Sequence, residues 1–196
     1  GGGIILVLAL LSLPAVSVLI ISRVRTIASV GYGSNKVRLL RWAAAIMMFL
    51  RHPIIGCGYG SFGDTFVSDP TLHGQYVSQF GLGAHSKYLQ TLAETGIIGF
   101  SAWMWIIVSF FRYGFCLLKK LSAMEKEGTA PGFSASLYRS LAIGTMAAAL
   151  SFLVHFLVET MIQADIIGVP FWLLIGLLPA IGNIVEKESQ KAVANA

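Results

Sequence analysis

Apolar residues gather into runs near 4–21, 96–118, 141–158 and 166–185, and polar residues collect between them. Each run approaches the ~20 residues that a helix needs to cross a bilayer. Pro14 falls inside the first run and predicts a kink, with the freed backbone groups met by neighbouring helices. Between the first two runs, 36–51 predicts a helix lying at the membrane surface. Leu39, Leu40, Ile46, Met47 and Leu50 supply its apolar bulk, and Trp42 suits the headgroup zone. Pro53 stops that helix, and Gly56, Gly58 and Gly60 then permit a tight, irregular backbone. The polar and aromatic stretch 63–82 reads as a surface loop or lid. The predicted class is all-α, a polytopic helical membrane protein. About four transmembrane helices and an external loop with a surface helix would form a single membrane domain over 1–196.

Composition agrees. The 196 residues are 56% hydrophobic and only 12% charged, where a soluble domain is about one quarter charged. Four long apolar runs in so short a chain argue against a buried soluble core. The net charge of +5 does not make a nucleic-acid-binding face, because the basic residues sit in loops beside the spans. Cys57 and Cys116 form no metal or redox motif, and no metal or other cofactor is expected. The chain opens at Gly1 in apolar sequence, without the basic region or cleavage site of a signal peptide. The expectation is therefore the C-terminal part of a larger polytopic protein, inactive without its upstream helices.

Charge orients the spans. The connection 119–139 holds Lys119, Lys120, Lys126 and Arg139, whereas 159–165 has two acids and no Lys or Arg. Short basic loops stay cytoplasmic, so the tail with Lys187 and Lys191 is cytoplasmic and the segment 22–95 lies outside. That external segment carries Arg23, Arg25, Lys36, Arg38, Arg41, Arg51 and Lys87. Such a cationic external surface fits an anionic ligand, or else attraction to anionic lipid headgroups.

Candidate chemistry concentrates there. His85 lies just before the second span and can take a proton near neutral pH, or it is an ordinary hydrogen-bonded interfacial histidine. Arg38 and Arg41, three apart on one helical face, offer forks of donors that match phosphate oxygens, or they snorkel to headgroups. His52 reads as a helix-end residue and His73 as solvated. His155 and Glu159, four apart near the outer end of the third span, are auxiliary candidates or a structural pair. Glu94, at the mouth of the second span, is equally open. Gly56, Gly58 and Gly60 would shape the loop.

The order Arg38-x-x-x-Trp42, then His52-Pro53-Ile-Ile-Gly56-x-Gly58-x-Gly60-x-Phe62, then His85-Ser86-x-Tyr88-Leu89-Gln90-x-Leu92-Ala93-Glu94-x-Gly96-Ile-Ile-Gly99 resembles one family. It is similar to the C-terminal part of the O-antigen ligase and polymerase superfamily, with the signature region at 38–100. Ser86 stands where asparagine is common, and Val37 where a small residue is usual. The resemblance implies a metal-independent glycosyltransferase of C-type fold in the bacterial inner membrane, its site facing the periplasm. Its partners would be an undecaprenyl diphosphate-linked glycan donor and an acceptor hydroxyl on lipid A-core, a growing polysaccharide or a protein. By position, His85 matches the family's essential histidine and Arg38 its arginine before tryptophan. Arg41 is an electrostatic addition. A transporter or flippase fragment for lipid-linked saccharides is the alternative, and it would place ionisable groups midway along the spans.

Overall fold

The computed structural model describes residues 33–73, 83–126, 132–160 and 165–194. The first predicted span, at 4–21, lies outside the described residues. Helix α1 is Gly33–Arg51, α2 Phe62–Ser68, α3 Pro70–His73, α4 Lys87–Lys126, α5 Gly132–His155 and α6 Asp165–Ala194. Three of them, over Lys87–Lys126, Ala135–His155 and Gly168–Lys191, are long and apolar enough to cross a membrane. Their outward faces carry Trp105, Leu150, Val154 and Leu173, all exposed. Water would penalise those faces, and a bilayer would not.

The spans pack along one seam. Phe110, Leu117 and Leu121 of α4 meet Ala142, Met146 and Ala149 of α5 and Leu178, Ile181 and Val185 of α6. At the basic end of the bundle, Arg139 pairs with Glu125 at 3.6 Å and the Tyr138 hydroxyl donates to Glu188 at 2.8 Å. At the other end, Trp103 and Ile107 pack on Leu153, Phe156 and Phe171.

Helix α1 forms as the sequence predicts, but its packing uses small residues. Ala44, Ala45 and Met48 are buried with Phe62, Phe66, Leu72, Ala84 and Ala93, leaving Leu39, Ile46, Met47 and Leu50 outward. The stretch expected to be a loop or lid is instead helical over 62–73, in α2 and α3; 74–82 lies outside the described residues. The reason is visible in Phe62 and Phe66, whose i, i+4 spacing puts both in the core under α1. Arg51 is not a spare cation, because it pairs with Asp69 and donates to Thr71 at 2.9 Å. Bonds from Thr71, and then Arg51, hold the Asp69 carboxyl down to about 2.

Helix α4 is interrupted at Gly96, whose φ of 62° and ψ of −166° are not helical. An unbroken helix would bond the amides of Ile97 and Ile98 to the carbonyls of Ala93 and Glu94. Here the segment after Pro53 inserts into that ladder. Ile97 N–H donates to Pro53 at 2.9 Å and Ile98 N–H to Ile54 at 3.3 Å, while Ala93 and Glu94 accept from Cys57 and Gly58, each at 2.9 Å. Two glycines make this clasp between 53–58 and 93–98 possible. A Cβ on Gly56 would overlap the Glu94 carbonyl group, and one on Gly96 would overlap that of Ile54; both have positive φ.

Gly56→Ala and Gly96→Ala should each destabilise the protein by about 3 kcal/mol, combining a left-handed backbone penalty with overpacking. Gly144, which faces open space, should accept Ala with little change. Thermal unfolding in detergent distinguishes these outcomes; comparable midpoints for all three variants would exclude the clasp as a stabilising element.

A candidate active site at the end of the bundle

His85 sits just ahead of α4 with a φ of 52°, a left-handed conformation that only a well-braced non-glycine residue keeps. The bracing comes from several directions. The indole of Trp42 donates to the His85 carbonyl at 3.2 Å. The Gln90 side chain accepts from Ala84 N–H at 3.1 Å. The Lys87 amide, at the first turn of α4, donates to the carbonyls of Phe156 at 2.9 Å and Glu159 at 3.1 Å. These last bonds join the start of α4 to the end of α5.

The imidazole lies between a cation and an acid. Arg41 Nη1 is 3.1 Å from His85 Nε2 and also donates to the Gly83 carbonyl at 3.1 Å. Glu159 Oε1 is 3.8 Å from His85 Nδ1, too far for a hydrogen bond but close enough to act electrostatically. A guanidinium only donates, so Nε2 must present its lone pair and the ring proton sits on Nδ1, facing Glu159. Burial, then Arg41, push the His85 pKa below 6.5; Glu159 opposes the shift and Arg38 adds to it. The ring is therefore neutral at pH 7. Arg41 is itself buried, with its guanidinium 6.0 Å from the centre of the Phe66 ring, and that burial lowers its pKa.

Of the residues singled out in the sequence, His85, Arg41 and Glu159 come together here, with Arg38 near enough for its field to reach the ring. Glu94 does not join them. It is fully buried, where one carboxylate oxygen accepts from Gln90 at 2.9 Å and from the Phe62 amide at 3.3 Å, so it braces the clasp. His155 and Glu159 do not share a helix face, because α5 ends at His155 and a turn over 156–158 swings Glu159 toward His85. His155 stays exposed, as does His52. Gly58 and Gly60 form the turn above the clasp. Sequence reasoning assigned Trp42 to the headgroup zone and missed its bond to His85; its place one residue after Arg41, on the same helix, was the available signal. Among the described residues no three His, Cys, Asp or Glu side chains form a metal-ligand set.

A helical membrane protein with a neutral histidine braced against a buried arginine at one end of its spans is the class these features define. The family description O-Antigen ligase matches residues 1–104, more than half of the 196, and the chain belongs to that family. Membership implies glycan transfer of ligase or polymerase type, with a lipid-linked glycan and an acceptor as substrates. No curated protein and no solved structure matches the chain. The matched region contains the clasp, Arg41 and His85; Glu159 is contributed from beyond it.

The histidine titration checks the electrostatics. With ¹⁵N-labelled histidine in detergent, the His85 signal, assigned by its loss in His85→Asn, should titrate below 6.5. Glu159→Gln should lower that midpoint further and Arg41→Gln should raise it. Because the folded value is depressed, protonation favours the unfolded chain, so the stability held by this site is lost as pH falls through the ordinary histidine range. A midpoint at or above 6.5 in the unmodified protein would contradict the arrangement.

Proposed function

We propose that the protein transfers a glycan from an undecaprenyl diphosphate carrier to an acceptor hydroxyl, on the periplasmic face of the bacterial inner membrane and without a metal. The acceptor is lipid A-core, a growing polysaccharide or a protein side chain. The observation that carries this reading is the 3.1 Å contact between Arg41 and the lone pair of His85 Nε2. It pairs an anion-binding group with a neutral base at one end of membrane-spanning helices, where a carrier's diphosphate would meet water.

In the resting protein the guanidinium occupies the lone pair that a base must use. A carrier diphosphate competes for Arg41 with two charges and paired oxygens, a better match than a neutral imidazole. As Arg41 turns onto the diphosphate, Nε2 becomes free to accept the proton of the acceptor hydroxyl. The acceptor oxygen bonds to the anomeric carbon, the bond from that carbon to the diphosphate oxygen breaks, and the configuration inverts. Arg41, aided by the field of Arg38, stabilises the charge left on the diphosphate. Glu159 stabilises the imidazolium through Nδ1.

The full-length protein carrying His85→Ala should lose about 10²- to 10⁴-fold in transfer from purified carrier-linked glycan. Arg41→Ala should lose about 10²- to 10³-fold, and Arg41→Lys should recover only part of it, since an ammonium lacks the fork. Normal transfer by a correctly inserted variant would remove that residue from the mechanism.

The orientation has its own test. In a background with Cys57→Ser and Cys116→Ser, a cysteine replacing exposed Tyr59 should react with a membrane-impermeant maleimide added to spheroplasts, and one replacing Lys120 should not. The reverse pattern would place the site in the cytoplasm and end the periplasmic assignment.

A further inference from the structure

One peptide group joins the two halves of the candidate site. The Gly83 carbonyl accepts from Arg41 at 3.1 Å. The Ala84 amide, at the other end of the same peptide plane, donates to Gln90 Oε1 at 3.1 Å. His85 follows directly, in its left-handed conformation. The peptide has little room to slide, because a Cβ on Gly83 would overlap the Thr160 hydroxyl and press on Gln90 Oε1 at 3.3 Å.

Gln90 has a second attachment. Its Nε2 donates to Glu94 Oε1 at 2.9 Å, and the same oxygen accepts from the Phe62 amide at 3.3 Å. Gln90 is 3% exposed and Glu94 1%, so water does not compete for these bonds. Lys87, also buried, lies within the field of the Glu94 carboxylate. From Glu94 to Arg41 the groups run in one order: a carboxylate, the Gln90 amide, the 83–84 peptide and a guanidinium. Both amides turn their N–H toward the acid and their C=O toward the cation, so each polarises the next. The Ala84 amide requires an acceptor and the carboxylate requires a donor, and a glutamine side chain offers both at its two ends.

The tie closes on itself through α2. Phe62 and Phe66 share that helix, and the Arg41 guanidinium lies 6.0 Å from the centre of the Phe66 ring. One short helix therefore touches Arg41 through a ring. Through Glu94 and Gln90 it also holds the peptide that seats Arg41 and leads into His85.

We propose that Gln90 is a positioning residue for the transfer reaction: by holding the Ala84 amide, it sets both the carbonyl that seats Arg41 and the turn that aims His85. The proposal rests on His85 and Arg41 acting as described under the proposed function. Arg41 gives up the Gly83 carbonyl as it turns onto the diphosphate. The bond from Ala84 to Gln90 then keeps the peptide, and with it the imidazole, in place while the cation is away.

The test uses the full-length protein, correctly inserted, with transfer from purified carrier-linked glycan and the His85 titration as readouts. Gln90→Met keeps the bulk of the side chain and removes both ends of the tie. It should lower kcat by about 10- to 100-fold, the scale of a misplaced reacting group. KM for the donor should change by less than about two-fold, because Arg41 meets the diphosphate after leaving Gly83. The His85 midpoint should rise toward 6.5 as Arg41 loosens beside the ring. Gln90→Glu should share these changes, since two carboxylates then meet with no donor between them. Gln90→Glu combined with Glu94→Gln should bring kcat back to within about three-fold of the unmodified protein, because donor and acceptor exchange places and every bond of the tie is remade. An unchanged kcat and midpoint in Gln90→Met overturns the proposal, and so does an exchange variant no better than Gln90→Glu. Should Gln90→Met fail to insert, Gln90→Glu carries the same two readouts, and unchanged values there overturn it as well. An active His85→Ala would remove the base from the mechanism and leave the titration to judge the tie. A normal Gln90→Met beside an inactive His85→Ala removes the tie alone.

Discussion

Four backbone hydrogen bonds hold the candidate site to the membrane scaffold. Where α4 is interrupted, the amides of Ile97 and Ile98 and the carbonyls of Ala93 and Glu94 turn away from each other and bond to the segment 53–58. Each inserted bond replaces one that an ordinary helix would make, so the break leaves none of these groups unmet in an apolar surrounding. The cost is steric. The two backbones approach so closely that neither Gly56 nor Gly96 has room for a side chain. The glycine-rich string and the Gly96 position are therefore halves of one joint, although about forty residues separate them.

The joint matters to chemistry because of what it registers. The segment 53–58 continues directly from α1, which carries Arg38, Arg41 and Trp42, while Gly96 lies one helical run beyond His85. Fixing 53–58 against 93–98 therefore fixes the arginines against the histidine. Phe62 and Phe66 fill the space beneath α1, and buried Glu94 ties Gln90 to the Phe62 amide. The Arg41–His85 contact is the outcome of this packing, and burial, reinforced by that contact, holds the imidazole neutral at physiological pH.

Much of this was legible in the residues. Apolar runs marked α4, α5 and α6, and Pro53 marked the end of α1, because length and hydropathy report directly on bilayer crossing. His85 and Arg38 were singled out by the family resemblance and Arg41 by its charge beside them; that Arg41 is the arginine in contact with His85 emerges only from the fold. The polar stretch from Phe62 was not legible as helix, since its two buried phenylalanines show their role only when α1 covers them. Glu159 was misplaced for a related reason. Sequence periodicity carries the third span through Val158, but the Phe156 and Glu159 carbonyls are captured by the Lys87 amide, and the chain turns at His155. Such tertiary competition leaves no periodic trace.

The interrupted helix also bears on how the protein is made. A translocon that met the 87–126 segment alone would handle a helix with exposed peptide groups at Gly96, poorly suited to partition into lipid. The residues that cover those groups, 53–58, lie earlier in the chain and leave the ribosome first. Biogenesis can thus present the cover before the helix that requires it, and a chain rearranged to reverse that order would deliver α4 to the bilayer with its break bare.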